Sequence, residues 1–367
     1  MNMKKLLQDG LAGLLCLASV GCSTSAEKLA DKHPDLSQAP LRFAVSGDVR
    51  IRSVNLSHRF NPKLPDISSV NERVRLGGRY TLTDELSIEA RGDAEVGSAD
   101  TDDPRLQKGP VTVVDRVFLH YNHAGVAVVV GEYSNPLASR TWMDKDGPFE
   151  GVVVSYTLKD VLGIDTLTLG GLGHAGNGFI GGSDTSLLSA GITAVKTIGD
   201  AKATLGIDGM HFFNLDDTTI GTNIKNKKGY VNGFDVLNVS GSVALPVAGV
   251  PVTFSGFYGT NVSANVDGNM FEMKASVQLL RGFTLVGGYR WVESDAIPSS
   301  FPVQASPLTN FEVGFAGVTY TFPSDGLLSG TNVGLGVAMP RRIDVPFDDQ
   351  RQLTVEVILE KKFGDGK

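Results

Sequence analysis

The sequence contains only two cysteines, Cys16 and Cys22, and both lie near its N-terminus. Met1–Lys5 is short and basic and Leu11–Val20 is apolar, a combination that is typical of a secretory signal. Cleavage behind this segment removes at least one cysteine, which excludes an internal disulfide in the mature chain. We therefore expect an exported protein whose stability does not depend on disulfide bonds.

The signal segment offers two cleavage sites. Ser19-Val20-Gly21-Cys22 resembles the bacterial lipobox, in which the cysteine is lipidated, and this interpretation predicts a signal peptide over 1–21 and a lipid on Cys22. The small residues Thr24-Ser25-Ala26 offer an alternative site to an ordinary signal peptidase, with a signal peptide over 1–26. A polar lead follows and ends at residue 40.

Long hydrophobic runs and an excess of basic residues are also missing. The longest nearly uncharged apolar stretch, Leu11–Gly21, is far shorter than the roughly 20 residues of a membrane-spanning helix, which excludes a helical membrane protein. Forty acidic residues face 33 basic ones and give a net charge of -7, which argues against a nucleic-acid-binding protein. Glycine, in contrast, is abundant, with 44 of 367 residues.

Beyond residue 40 the sequence is a series of segments about ten residues long that alternate apolar and polar residues with a period of two. They are rich in Val, Thr, Phe and Tyr, as β-strands are. We count sixteen predicted strands, centred near Val49, Leu76, Ala90, Phe118, Val129, Val154, Thr168, Ile192, Leu205, Val239, Phe254, Ala275, Val286, Phe315, Leu335 and Val357.

The predicted connections alternate in length. Short turns lie at Thr83–Glu85, Asn122–Gly125, Lys159–Gly163, Ile198–Asp200, Pro246–Pro251, Arg281–Gly282 and Pro323–Gly330. Most other connections are long and polar, at Asn55–Ser69, Ser98–Gly109, Ser134–Pro148, Asn214–Lys228, Ser294–Leu308 and Pro340–Gln350. Short turns at one end and long loops at the other are typical of an outer-membrane barrel, because closure pairs every backbone hydrogen bond, as lipid requires.

We therefore predict an all-β protein, a transmembrane antiparallel β-barrel of about sixteen strands with short periplasmic turns and long extracellular loops. The barrel is predicted over 41–363, after a periplasmic lead over 22–40 and before a C-terminal tail over 364–367. Sixteen strands enclose an aqueous lumen rather than a packed core. The cell outer membrane is the predicted location, with its lipid as the surrounding partner.

The alternation also predicts which side chains face lipid. Near residue 275, Met270, Glu272 and Lys274 share the face toward water, and Phe271 and Met273 share the face toward lipid. In the next strand the aromatic residues predict interface girdles, with Arg290 inside. Phe363, the last outward aromatic residue, resembles the assembly signal that the barrel-assembly machinery reads, although Gly364–Lys367 follow it here.

An unusual set of arginines alternates along the first four predicted strands. One arginine facing lipid at mid-bilayer would cost about 2 to 4 kcal/mol, so the set must face the lumen. These residues either pair with acids and hold the strands in register or form a basic ladder that sets the field in the pore, and the two roles are compatible. The set comprises Arg50, Arg52, Arg73, Arg75, Arg79, Arg91 and Arg116, with Asp48, Glu89 and Asp93 among them, for a net charge of +4.

The third long connection, Ser134–Pro148, mixes charges with Trp142 and two prolines. It is a candidate constriction loop, or alternatively a solvated extracellular loop. If it folds inward, acidic side chains could face the arginines across the narrowest point and create a transverse field. The candidate residues are Arg140, Asp144, Lys145 and Asp146.

Four segments carry a resemblance to a known family. Gly47–Arg52, Arg73–Arg79, Val129–Gly131 and Asp146–Val152 are similar to the opening strands of a family of Gram-negative bacterial outer-membrane porins. The resemblance covers residues 45–156 and implies a general diffusion barrel, often a homotrimer, that passes small hydrophilic solutes or ions. Glu132 stands where members of that family commonly have a basic residue.

The predicted function is passive diffusion through a water-filled barrel, without catalysis or cofactor. The alternative is a surface-exposed barrel that acts as an adhesin or receptor with a plugged lumen. An enzyme is a third possibility, since Ser186, Asp208, His211 and Asp216 could be combined into a catalytic set, although nothing in their spacing demands it. No metal site is predicted, because His120 and His123 lie on opposite faces of one strand and the other histidines are scattered.

Overall fold

The computed structural model describes residues 42–57, 66–99, 111–134, 148–175, 186–213, 225–226, 229–230, 233–279, 282–298, 309–323, 328–343 and 352–364. Its Cα packing divides the chain into a unit over Met1–Phe43 and a unit over Ala44–Lys367. The second unit holds almost all of the described residues, including the whole site presented below. The predicted signal peptide, lead and tail, with Cys22, lie outside the described residues, apart from Gly364 at the start of the tail.

Sixteen strands form one closed antiparallel barrel, which confirms the predicted fold class and strand number. The barrel strands are β1 (Arg42–Ser57), β2 (Ile67–Thr81), β3 (Leu86–Ala99), β4 (Val111–His123), β5 (Val126–Ser134), β6 (Pro148–Val161), β7 (Ile164–Ala175), β8 (Ser186–Ile198), β9 (Ala201–Phe213), β12 (Asp235–Val247), β13 (Val250–Asn261), β14 (Asn269–Gln278), β15 (Phe283–Val292), β16 (Phe311–Thr321), β17 (Thr331–Arg342) and β18 (Leu353–Gly364). Each strand pairs with its neighbours in sequence, except that β9 pairs with β12 and that β1 pairs with β18 to close the barrel.

A short hairpin that the sequence did not predict lies in the connection from β9 to β12. It consists of β10 (Lys225–Asn226) and β11 (Gly229–Tyr230). All sixteen predicted strand centres fall within barrel strands. No described segment is a helix that is long and apolar enough to cross a membrane.

Two-residue turns explain why consecutive strands form hairpins at one end. In the turn from β4 to β5, Ala124 and Gly125 have φ angles of 48° and 86°. Ala248 and Gly249, between β12 and β13, have φ angles of 51° and 78°. Two consecutive positive φ angles are the feature of a type I′ turn, whose twist matches that of the flanking strands. The long connections all lie at the opposite end, and β1 begins and β18 ends at the short-turn end.

The outer face of the barrel carries large apolar side chains at alternate positions. Val49 and Ile51 of β1 are exposed, as are Val357 and Leu359 of β18, which lies beside β1. Soluble proteins rarely expose contiguous apolar patches above a few hundred Å², so this face is not typical of a protein surrounded by water. It is the face predicted to contact lipid.

The inner face is not polar throughout, and here the expectation of a purely aqueous lumen is wrong. A buried apolar cluster lies inside the barrel toward the long-loop end. Met270, which we expected to face water, is 1% exposed within it. The alternation of the sequence correctly predicts that residues such as Met270 lie on the inner face. Packing against other strands and against the connection after β15 buries them, so they do not contact water. The cluster comprises Tyr133, Val153, Leu187, Met210, Phe212, Phe234, Val236, Phe257, Met270, Val292, Ala296 and Ile297.

Candidate functional site

The candidate site is the inner wall formed by β1–β4 and β18. Strand register and burial place all ten predicted charged residues of β1–β4 on this inner face. Their outward neighbours, such as Val49, Tyr80 and Val117, are exposed. A β-bulge between Arg91 and Gly92 of β3, opposite Arg116 and Val114 of β4, shifts the pairing by one residue. The bulge brings Arg91 and Arg116 directly opposite each other.

Two buried arginines connect the wall across strands. Arg73 of β2 donates from Nη2 to Asp48 Oδ1 of β1 at 2.8 Å, and the same nitrogen lies 3.7 Å from Glu360 Oε1 of β18. Arg75 donates from Nε to Asp93 Oδ2 of β3 at 2.7 Å. Arg73 and Arg75 are 4% and 7% exposed. Arg73 therefore links β2 to β1 and reaches β18 across the closing seam of the barrel, whereas Arg75 links β2 to β3.

Two other arginines are paired but accessible from the lumen. Arg52 forms an ion pair with Glu356 of β18, and its side chain is 42% exposed. Arg79 Nε lies 3.0 Å from Glu89 Oε1, with 43% of the Arg79 side chain exposed. Arg79 Nη2 is also 3.2 Å from Nδ1 of His120. Pairs with this exposure are worth little in stability, so these arginines are available to affect the field in the lumen.

The acids of β18 and Glu95 lower the charge that the sequence predicted for this wall. Lys362, opposite Asp48 in the register, adds one base. The described charged side chains of the wall are eight bases and six acids, a net charge of +2 rather than +4. We call this set the basic wall: Asp48, Arg50, Arg52, Arg73, Arg75, Arg79, Glu89, Arg91, Asp93, Glu95, Arg116, Glu356, Glu360 and Lys362.

Part of the basic wall surrounds a polar concavity of about 390 Å³. Its lining includes Arg73, Arg75, Arg79, Arg91 and Arg116 together with three acids of the wall. Five guanidinium groups around one concavity offer many donors in fixed fork geometry, the arrangement that suits carboxylate or phosphate groups. The lining of the concavity therefore carries more basic than acidic side chains.

A second inner ion pair, which we did not assign to the site from sequence, lies across the barrel from the basic wall. Arg290 Nε donates to Glu272 Oε2 at 2.7 Å, and its Nη2 contacts the same oxygen. Both side chains are at most 5% exposed, and the Arg290 guanidinium lies 5.8 Å from the centroid of the Phe257 ring. This burial marks the pair as part of the packed side of the lumen. The alternation did place Arg290 inside, but only the structure shows its partner.

Residues 293–298 extend the packed side inward from the long-loop end. Ala296 and Ile297 are fully buried against the apolar cluster. Asn261 Nδ2 donates to the backbone oxygens of Gly233 and Asp295 at 2.9 and 2.8 Å, and the Asp295 nitrogen donates to Asp267 O at 2.8 Å. We call residues 293–298 the inserted segment. Together with the apolar cluster it occupies one side of the lumen, opposite the basic wall.

The predicted constriction residues Arg140, Asp144, Lys145 and Asp146 lie outside the described residues. Among the described residues, the inserted segment is the part of a long connection that packs into the apolar cluster. Sequence reasoning placed Ser294–Leu308 among the long loops and gave it no further role. The signal that could have identified it is the apolar pair Ala296-Ile297 followed by Pro298 within an otherwise polar connection.

The proposed assembly residue, Phe363, lies on the outer face of β18 and is 39% exposed. It is opposite Gly47 of β1 in the register. A Cβ atom on Gly47 would come within 2.6 Å of the Phe363 ring and within 2.3 Å of the Arg75 carbonyl oxygen. Glycine is therefore required at this position, because the ring covers the strand that closes the barrel.

The residues considered for catalysis do not come together. Asp208 faces inward and accepts a hydrogen bond from Asn238 at 2.9 Å, whereas His211 faces outward and contacts Asp235. Ser186 lies opposite Phe213 of β9 in the register, and the contact of His211 is with Asp235 rather than with Ser186 or Asp208. Asp216 lies outside the described residues. Within the described part of the chain, no group of three or more His, Cys, Asp or Glu could hold a metal ion.

Comparison with solved structures gives the same architecture. Neither a protein-family model nor a curated protein sequence matches the chain. OprB from Pseudomonas putida matches with a TM-score of 0.58 and 10% identity, over 91% of this chain and 97% of that one. A BenF-like porin from Pseudomonas fluorescens Pf-5 matches with a TM-score of 0.51 and 12% identity, over 88% and 98%. OccK2 from Pseudomonas aeruginosa, solved with glucuronate, has a TM-score of 0.51, 12% identity and the same coverage.

At these identities the likeness concerns the fold. It extends over 88 to 91% of this chain and 97 to 98% of the matched chains. The chain is thus a closed sixteen-stranded antiparallel barrel with the fold of the Gram-negative outer-membrane porins.

Proposed function

We propose that this protein is an outer-membrane porin that lets small hydrophilic solutes and ions diffuse passively through its lumen. The observation that carries the proposal is the combination of an apolar outer face with a charged inner wall on one closed barrel. An apolar exterior suits lipid, and a charged interior requires water. The OccK2 structure that shares this fold binds glucuronate, a hydrophilic solute, which supports this solute class.

Passage runs along the basic wall, because the opposite side of the described lumen is filled by the apolar cluster and the inserted segment. The net charge of +2 along this path favours anions, since fixed charge raises the local counter-ion concentration within about 10 Å at 0.1 M salt. The half-exposed Arg52 and Arg79 contribute to this field together with the arginines around the concavity. We also propose that the protein forms a homotrimer and that Cys22 carries a lipid. Phe363 is proposed to act in assembly of the barrel.

A plugged barrel that acts as an adhesin or receptor is the second candidate. The observation that favours it is the inserted segment, whose buried Ala296 and Ile297 close part of the long-loop end. The two candidates differ in conductance, because a plugged barrel passes few ions whatever its wall charge.

The proposal predicts a measurable change in ion selectivity. Replacing Arg50, Arg91 and Arg116 together with Gln changes the described basic wall from +2 to -1. In planar bilayers with a salt gradient, the reversal potential should shift toward cation preference. A matched control is Lys361→Gln, which removes a base from the outer face of β18, opposite the exposed Val49. An unchanged reversal potential in a folded, conducting triple variant would show that these arginines do not face the ion path.

A further inference from the structure

A groove crosses the outer face of the barrel between β8 and β15, away from the basic wall and the lumen. It has a volume of about 840 Å³. Its walls are apolar side chains that stand out from the barrel, with Leu205, Phe254 and Met273 exposed by 53%, 53% and 65%. Its floor consists of small residues, one on each strand: Ala194, Ala203, Gly241, Gly256, Ala275 and Gly287.

Register confirms that the groove opens outward. Ala194 pairs with Leu205, Leu205 with Gly241, Gly241 with Gly256, and Gly256 with Met273. Residues that pair directly across antiparallel strands lie on the same face of a sheet. Because Leu205 and Met273 are strongly exposed on the outer face, the whole row belongs to that face.

The groove starts near the short-turn end and runs obliquely toward the middle of the barrel. On β8 and β9 it includes residues close to the turn at 199–200, whereas on β12–β15 it includes mid-strand residues. It crosses five inter-strand spacings, which is about 24 Å at about 4.8 Å each. One leaflet of a hydrocarbon core is about 15 Å thick. A groove of this length and tilt fits a chain that enters from one membrane surface and ends near mid-bilayer.

An ion pair stands at the short-turn end of the groove. Lys196 lines the groove, and its Nζ lies 3.1 Å from Asp165 Oδ1. The backbone nitrogen of Thr197 donates to Asp165 Oδ2 at 2.6 Å and fixes the carboxylate. The side chains of Lys196 and Asp165 are 44% and 35% exposed, so both can take a further partner. An ammonium and a carboxylate side by side complement a headgroup that itself carries a phosphate and an ammonium.

We propose that this groove is a binding site for one phospholipid with a zwitterionic headgroup. One acyl chain of the lipid lies on the small residues between Leu205, Phe254 and Met273. The headgroup phosphate contacts Lys196, and the headgroup ammonium contacts Asp165. Each buried methylene of such a chain contributes to affinity. The inference rests on the proposed function insofar as that function places the barrel in a bilayer with its short turns at the periplasmic surface.

The test is native mass spectrometry of the detergent-purified protein with dioleoyl phosphatidylethanolamine or dioleoyl phosphatidylglycerol. We expect the parent to retain one phosphatidylethanolamine at detergent concentrations that strip the other lipid. Gly241→Leu with Gly287→Leu fills the groove, and at these positions an added Cβ comes no closer than 3.4 and 3.7 Å to another atom. This double variant should bind the lipid at least tenfold more weakly. Asp165→Asn should remove the preference for phosphatidylethanolamine over phosphatidylglycerol while leaving chain binding, because the ammonium that Asp165 contacts is the group that distinguishes the two headgroups.

Gly173→Leu is the matched control, because it adds the same side chain outside the groove, where a Cβ meets no atom within 4 Å. Folded yield and planar-bilayer conductance are measured on every variant, so a folding defect is recognised directly. Unchanged retention in the filled double variant would overturn the proposal, as would a shift in oligomeric state without loss of lipid, which would identify the groove as a subunit contact. Conductance of the parent tests the proposed function separately, since a barrel can fail to conduct and still retain the lipid.

Discussion

At the scale of single residues, burial divides the arginines of the basic wall into structural and accessible groups. Arg73 and Arg75 are almost fully buried and bridge neighbouring strands, whereas Arg52 and Arg79 are nearly half exposed. A buried guanidinium is held by its carboxylate and cannot be removed without leaving a buried charge. An exposed one contributes mainly to the potential in the lumen. The sequence left two roles open for these arginines: pairing with acids to hold strands in register, and setting the field in the pore. Burial assigns the first role to Arg73 and Arg75 and the second to Arg52 and Arg79.

Replacing Arg75 should destabilise the barrel far more than replacing Arg52. Arg75→Gln leaves the carboxylate of Asp93 buried without its ion pair, and breaking a buried pair in this way costs about 3 to 5 kcal/mol. Arg52→Gln breaks the partly exposed pair with Glu356, and such pairs are worth about 0.2 to 1 kcal/mol. Urea unfolding of the refolded barrels, followed by the change in electrophoretic mobility, measures both. Equal unfolding midpoints would contradict the division by burial.

At the scale of elements, the sixteen strands could be predicted because the outer face has one chemistry throughout. A strand in lipid must present apolar side chains outward, so its sequence alternates regardless of its partners. Inner residues have no such uniform requirement. The partner of Arg52, Glu356, is 304 residues away and becomes its neighbour only when β18 closes the barrel. The β-bulge at Arg91 and the burial of Met270 likewise depend on contacts with other strands and with the inserted segment.

The last strand should contribute to assembly through Phe363. Phe363→Ala removes an outer aromatic residue that covers Gly47 where β18 meets β1. We expect a several-fold lower yield in the outer membrane and more periplasmic degradation products. Thr354→Ala in the same strand, on the inner face, serves as the matched control. Equal yields from the two variants would argue against a role of this aromatic residue in assembly.

The inserted segment should limit the width of the lumen. Asn261→Ala removes the donor that holds Gly233 O and Asp295 O, and thereby loosens residues 293–298 from the inner wall. We expect a higher and noisier single-channel conductance, because the segment then leaves the lumen part of the time. Asn122→Ala, an exposed asparagine at the short-turn end, is the control. A conductance equal to that of the parent would mean that the segment does not border the ion path.

At the scale of the whole molecule, one asymmetry organises the barrel. The described lumen has a packed side, formed by β5–β9, β12–β15 and the inserted segment, and a charged side, formed by β1–β4 and β18. The outer face is apolar on both sides, as insertion in lipid requires. Closure by β18 and β1 brings the first and the last barrel strand together at the charged side. We therefore propose that solutes pass along the charged side, whereas the packed side is closed to them.

Liposome swelling with uncharged sugars of increasing size tests this central claim most directly. Uncharged sugars remove the effect of wall charge, so the rates report only whether an open aqueous path exists and how wide it is. Proteoliposomes of the purified, folded barrel should swell at rates that rise linearly with sugar concentration and fall steeply with sugar size, as expected for passive diffusion. Swelling no faster than in protein-free liposomes, from barrels verified as folded, would contradict passage along the basic wall and identify a plugged lumen.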